Sequence, residues 1–214
     1  VKPFLREEFG ALGRFLRGYG QELIVVVFAV LFISLHRYHP IGQEWLSLFI
    51  YYGLLPLAVI LVVLRKNPLK FGLGLGSPRV WGFYVVVICL IAAAILYASS
   101  FSPALQNYYR EPDFSFAYLF FTACLSLGAS EFLYRGFLLF GLREKFKEGS
   151  ILLQMIPFAL LHLGKPELET VSTIFTGLLF GYVAYRGKSY WPAFLIHLFI
   201  NVFFIALINY KYPA

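Results

Sequence analysis

Glu131 and Arg135 stand four residues apart, His197 and Asn201 stand four apart, and His162 follows Phe158 by four. Four residues are about one helical turn, so each pair shares a helix face. Each also lies inside an apolar run, where an ionisable side chain is expensive and marks a candidate functional site. A carboxylate, a guanidinium, two imidazoles and an amide form the toolkit of acid–base hydrolysis. Arg135 would hold Glu131 charged and oriented. Each group taken alone also has a plainer use. Glu131–Arg135 is then an ion pair that pins helix packing, His162 a hydrogen-bonded core residue, and His197 with Asn201 an interhelical hydrogen-bonding pair.

The elements that must carry these groups are membrane helices. Of the 214 residues, 60% are hydrophobic, 20% aromatic and only 14% charged. The mean hydropathy is +0.74. Soluble domains average about half apolar and a quarter charged. The chain therefore reads as all-α, a single polytopic membrane domain over 1–214. The net charge of +7 resides in short loops between apolar runs, which signals membrane orientation and not a nucleic-acid partner. Cys89 and Cys124 lie within apolar runs and read as small buried hydrophobes, giving no disulfide or metal framework. The start, Val1-Lys2-Pro3-Phe4, has no signal-peptide pattern, so the first span is expected to direct insertion itself.

Seven hydrophobic segments are expected, at 21–36, 43–64, 81–99, 115–140, 149–163, 169–186 and 190–209. Before them, 3–18 sets Phe4, Phe9, Leu12 and Phe15 against Arg6, Glu7, Arg14 and Arg17 with helical spacing. This predicts an amphipathic helix on the membrane surface. The fifth segment is short and ends near Gly164-Lys165-Pro166, which suggests tilt or an intramembrane turn. Lys and Arg alternate between successive loops, thirteen in one set and four in the other, with Arg135 apart. That bias places the N-terminus in the cytoplasm and the C-terminus outside.

The three motifs, Ser130-Glu131-x-x-x-Arg135, Phe158-x-x-x-His162 and His197-x-x-x-Asn201, resemble those of the CPBP family of intramembrane proteases. That family includes the CAAX prenyl endopeptidases and is also called the Abi family. Its motifs are Glu-Glu-x-x-x-Arg, Phe-x-x-x-His and His-x-x-x-Asn, and the resemblance covers about 70–209. It implies hydrolysis of a peptide bond in a membrane-associated protein or peptide, with the lipid bilayer as surroundings and no bound cofactor. Zinc on the two histidines and a glutamate is the rival chemistry, but the His-Glu-x-x-His helix motif is absent. Glutamate-dependent hydrolysis better suits the retained Arg and Asn. The short chain resembles the prokaryotic branch of the family, whose substrates include peptides and C-terminal sorting signals. This implies a plasma-membrane location.

The chain departs from the family at Ser130, which stands where the first Glu, the usual water-activating base, is expected. Glu131 takes over that role, another acid fills the gap, or hydrolysis is lost and a scaffold or regulator that binds a peptide or protein is left. The second course has a candidate in Glu169, seven residues after His162. Some family members without the first Glu resemble this chain in a His-x-Gly-Lys-Pro-x-x-Glu stretch, which implies that Glu169 belongs to the site. Its plainer use is to favour a helix dipole in the first turn after Pro166. In the catalytic reading Glu131 or Glu169 works with His162 on water, His197 and Asn201 hold the oxyanion, and Arg135 fixes the acid. A transporter is a third class, but no broken-helix pair repeats between halves. Counted at the helical rise, Glu131, His197 and His162 lie about 15, 9 and 17 Å from the cytoplasmic side. They are therefore expected to meet near mid-membrane or in its inner half.

Overall fold

A computed structural model describes residues 2–213. Val1 and Ala214, with the side chains of Lys2 and Pro3, lie outside the described residues. The molecule is a bundle of helices with no strand among the described residues. Six helices are long and apolar enough to cross a membrane, and a shorter apolar one joins them. In chain order they are α1 (Lys2–Tyr38), α2 (Glu44–Val63), α3 (Pro78–Ser99), the short α4 (Pro103–Tyr109), α5 (Phe116–Phe146), α6 (Gly149–Leu160), α7 (Glu167–Gly187) and α8 (Trp191–Lys211).

The expected amphipathic helix is continuous with the first span. The two parts of α1 are separated only by a non-helical Tyr19, at φ −133° and ψ 20°. The apolar residues before that break stay exposed, Phe9 at 70%, as suits a helix lying against lipid. Helix α6 ends at Leu160, short of the expected 163. Pro157 within it removes one backbone donor, and His162 already lies in a turn. The chain reverses at Gly164, whose φ of +97° is the left-handed backbone that glycine adopts without strain. Pro166 then leads directly into α7.

The connections fall alternately at two ends of the bundle. At one end Lys145 Nζ donates to Gly18 O at 3.2 Å, Gln21 Nε2 to Gly141 O at 2.6 Å and Trp191 Nε1 to Leu73 O at 3.0 Å. There too the backbone of Ser77 donates to Gly187 O at 2.8 Å and that of Tyr190 to Gly72 O at 3.0 Å. These contacts gather the Lys/Arg-rich connections. At the opposite end Gln106 Nε2 donates to Ser100 O at 2.8 Å, Asn209 Nδ2 to Tyr109 O at 2.9 Å and Tyr51 Oη to His39 O at 2.9 Å. The core between the ends is rich in aromatic residues, with Phe137, Ile60, Leu133, Val183 and Ile196 fully buried. Cys89 and Cys124 are free thiols.

Candidate functional site

Along α5 the regular α-helical ladder ends at Glu131 and widens into π-helical turns over Phe132–Leu138. Such turns concentrate at functional sites, because they re-aim the side chains that follow. All seven residues of this stretch are buried. Gly136 serves close packing here. A Cβ on it would lie 3.0 Å from Phe71 O and closer still to the Phe132 ring. The neighbour it admits is thus the turn at Pro68–Phe71, not another membrane helix.

Glu131 and Arg135 are both fully buried, and Arg135 Nη1 donates to Glu131 Oε1 at 2.9 Å. The guanidinium carbon lies 4.0 Å from the centre of the Phe158 ring and 5.3 Å from that of Phe180. Ring faces attract a cation, and more so where water is excluded. His197, on α8, donates from Nδ1 to the same Glu131 oxygen at 2.7 Å. An ionised carboxylate only accepts, so this contact places a proton on Nδ1. The motif-one acid therefore holds two partners, one on its own helix and one across the bundle.

His162 donates from Nδ1 to the carbonyl of Phe158 at 2.8 Å. A carbonyl cannot donate, so the neutral imidazole carries its free lone pair on Nε2, the nitrogen suited to a base. Phe158 thus serves twice, as the ring under Arg135 and as the backbone acceptor that orients His162.

His162, His197, Asn201 and Glu169 all line one cavity of about 500 Å³. Its remaining wall is mainly apolar, from α3, α7 and α8. Glu169, in the first turn of α7, accepts on Oε1 from Lys165 Nζ at 2.7 Å and on Oε2 from the Tyr109 hydroxyl. Asn201 sits one turn beyond His197 on α8. Glu131, Arg135 and Ser130 do not line the cavity, and Glu131 and Arg135 are buried behind His197. Of the two acids considered for work on water, Glu169 is the one with surface in the cavity.

Tyr109 and Lys165 were given no role from sequence. Lys165 lies inside the His-x-Gly-Lys-Pro stretch, which was the available signal. Tyr109 carried none, because its place depends on Asn209, a hundred residues away in sequence. Among the described residues no three His, Cys, Asp or Glu side chains are grouped so as to hold a metal ion, so these donors do not fit zinc's usual ligand set.

Residues 112–203 match the family model described as Type II CAAX prenyl endopeptidase Rce1-like. That stretch is less than half of the chain, and it contains all three motifs and Glu169. The resemblance to the CPBP family read from the motifs therefore holds over this segment. With its six apolar spans, the chain is an integral membrane protein similar to CAAX-type proteases. No curated protein and no solved structure matches it.

Proposed function

We propose that the chain is an intramembrane peptidase that hydrolyses a peptide bond of a membrane-associated protein or peptide. The observation that carries this reading is the presence of Glu169 in the same cavity as His162, His197 and Asn201. An acid enters the site from the start of α7, where the motif-one position offers only Ser130.

In the proposed reaction, water lies between Glu169 and His162. Each Glu169 oxygen already accepts one hydrogen bond, and each has lone-pair capacity for another. His162 Nε2 takes a proton as the water oxygen attacks the carbonyl carbon. The oxyanion accepts hydrogen bonds from Asn201 Nδ2 and from Nε2–H of a doubly protonated His197. Preorganised donors of this kind contribute several kcal/mol to a transition state. On collapse the C–N bond breaks, and His162 returns the proton to the leaving amine. Glu131 and Arg135 are positioning residues, since Glu131 fixes the His197 ring and Arg135 balances the buried carboxylate. No metal takes part in this sequence.

Ser130 favours a second reading, a family member that has lost turnover and binds a peptide or protein in the cavity as a scaffold or regulator. A mass-spectrometric survey of protein termini in native membranes separates the two, comparing wild type with His197→Ala at equal expression. A terminus lost in the folded variant supports the peptidase and identifies its cleavage site. Unchanged termini, with a partner still captured, support the scaffold.

The site's surroundings are those of a prokaryotic plasma membrane in this reading, with the N-terminus in the cytoplasm and the C-terminus outside. The support for the orientation is the loop charge bias together with the gathering of the basic connections at one end.

A further inference from the structure

We infer that the cavity takes its substrate from the extracytoplasmic face of the membrane, so that its substrates are exported polypeptides with an apolar segment seated in the outer leaflet. The word substrate rests on the peptidase reading, whereas the sidedness does not.

The cavity reaches the end away from the basic connections, and that is where we set its mouth. Its lining includes Ser99, the last residue of α3, with Tyr109 on α4 and Lys165 and Glu169 at the start of α7. That end is tied together by Asn209 on Tyr109 O, and by Lys211 Nζ, which donates to Ser100 Oγ at 3.3 Å. The Lys165 side chain is 31% exposed there. The turn after α6 brings His162 to this same end, beside Glu169 in the first turn of α7.

Toward the opposite end aromatic rings separate the cavity from the basic connections. Phe71 stacks on Phe137 at 6.4 Å and Phe132 meets Tyr190 at 5.9 Å. All four rings are buried, and they fill the bundle beneath Glu131 on the side of the basic connections.

Charge then assigns the faces. The basic end carries thirteen of the Lys and Arg residues by connection, the mouth end four. Three of these thirteen also have an unusual backbone. The three non-glycine residues with positive φ among the described residues are Arg65, Lys147 and Lys188, at φ 52°, 49° and 54°. Lys147 and Lys188 directly follow the C-termini of α5 and α7, and Arg65 lies two residues after α2, all at the basic end. Glycine is the low-strain residue at such a position, and a cation there favours the negative end of the helix dipole. Cations fixed at one end hold that end in the cytoplasm, which turns the mouth outward. The wall between α3 and α7 exposes Ile95 and Phe175, at 59% and 69%, so an apolar segment can approach from the lipid.

The test is single-cysteine labelling of the full chain in a Cys89→Ala, Cys124→Ala background. Lys165→Cys reports on the mouth and Lys188→Cys on the basic end, with Leu168→Cys as a second mouth position should Lys165→Cys fold poorly. Membranes are treated with a membrane-impermeant maleimide as right-side-out spheroplasts and as inverted vesicles. The expected result is at least tenfold more labelling of the mouth position in spheroplasts, and the reverse for Lys188→Cys. Labelling of the mouth from the cytoplasmic side, from both sides or from neither overturns the inference. The readout needs no turnover, so a failed peptidase reading leaves this result interpretable.

Discussion

Glu131 accepts a hydrogen bond from His197 Nδ1 at 2.7 Å, across the gap between α5 and α8 and sixty-six residues apart in sequence. The same oxygen accepts from Arg135 at 2.9 Å. One buried carboxylate therefore joins the first and third motifs. It sets the orientation of an imidazole that reaches the cavity, while the carboxylate itself does not.

This arrangement makes Glu131 and Arg135 a stability pair as well as a positioning pair. Arg135→Met leaves the Glu131 charge facing His197 alone, and Glu131→Gln leaves the guanidinium buried without a counter-charge. Breaking one partner of a fully buried pair costs about 3–5 kcal/mol. Each single variant is expected to melt earlier in detergent, and the double variant to lose less than the sum. Strict additivity in thermal melts would count against the pairing.

His162 has two ring nitrogens with separable duties. In His162→Asn the amide nitrogen stands near the place of Nδ1 and can still donate to Phe158 O, while the base at Nε2 is gone. Thermal stability is expected to stay close to wild type, and turnover to fall by about 10²–10⁴. His162→Gln keeps a polar group near Nε2 but abandons the Phe158 carbonyl, which costs about 1 kcal/mol of stability as well. Equal melting of the two variants would show that the backbone contact does not orient the ring.

Glu169 is the acid in the cavity, and Tyr109 and Lys165 hold it. Glu169→Gln is expected to lower kcat by about 10²–10⁴. Tyr109→Phe removes one hydrogen bond to the carboxylate, worth about 1.5 kcal/mol, and so lowers kcat about tenfold. Steady-state kinetics on a cleavable peptide check both. A Glu169→Gln enzyme with wild-type kcat would confine this residue to its place in the first turn of α7.

Asn201 lines the cavity one turn beyond His197 and is assigned to the oxyanion. Asn201→Ala is expected to cut kcat by about 10²–10³ with KM little changed, the mark of an interaction made in the transition state. A rise in KM with kcat unchanged would instead assign Asn201 to substrate binding.

The spans were legible because a membrane helix writes its length directly as an apolar run. The boundaries of α2, α3 and α8 accordingly fall within three residues of the expected limits. The Glu131–Arg135 and His197–Asn201 pairs were legible as shared helix faces, because helical periodicity fixes them, whereas His162 falls in the turn after α6. Tertiary facts were not. The widened turns at Phe132–Leu138 keep an ordinary apolar pattern, so nothing in the residues announces them. Helix α4 read as loop, since its order comes from Asn209 and from Leu105 packed against Phe204 and Ile208. Counting along each segment treats the fifth as a full span, whereas α6 ends at Leu160. Which acid reaches the cavity depended on the same turn, because only the reversal at Gly164 brings Glu169 back over His162.

The most direct measurement uses purified protein in lipid vesicles, given a peptide spanning the cleavage site and incubated in H₂¹⁸O, with Glu169→Gln and His162→Asn in parallel. The expected result is one new C-terminus carrying a single ¹⁸O with the wild-type chain, and a loss of about a hundredfold or more in either variant. Binding of the peptide without any ¹⁸O-marked product, by a wild-type chain that melts cooperatively, would contradict hydrolysis and leave the cavity as a binding site.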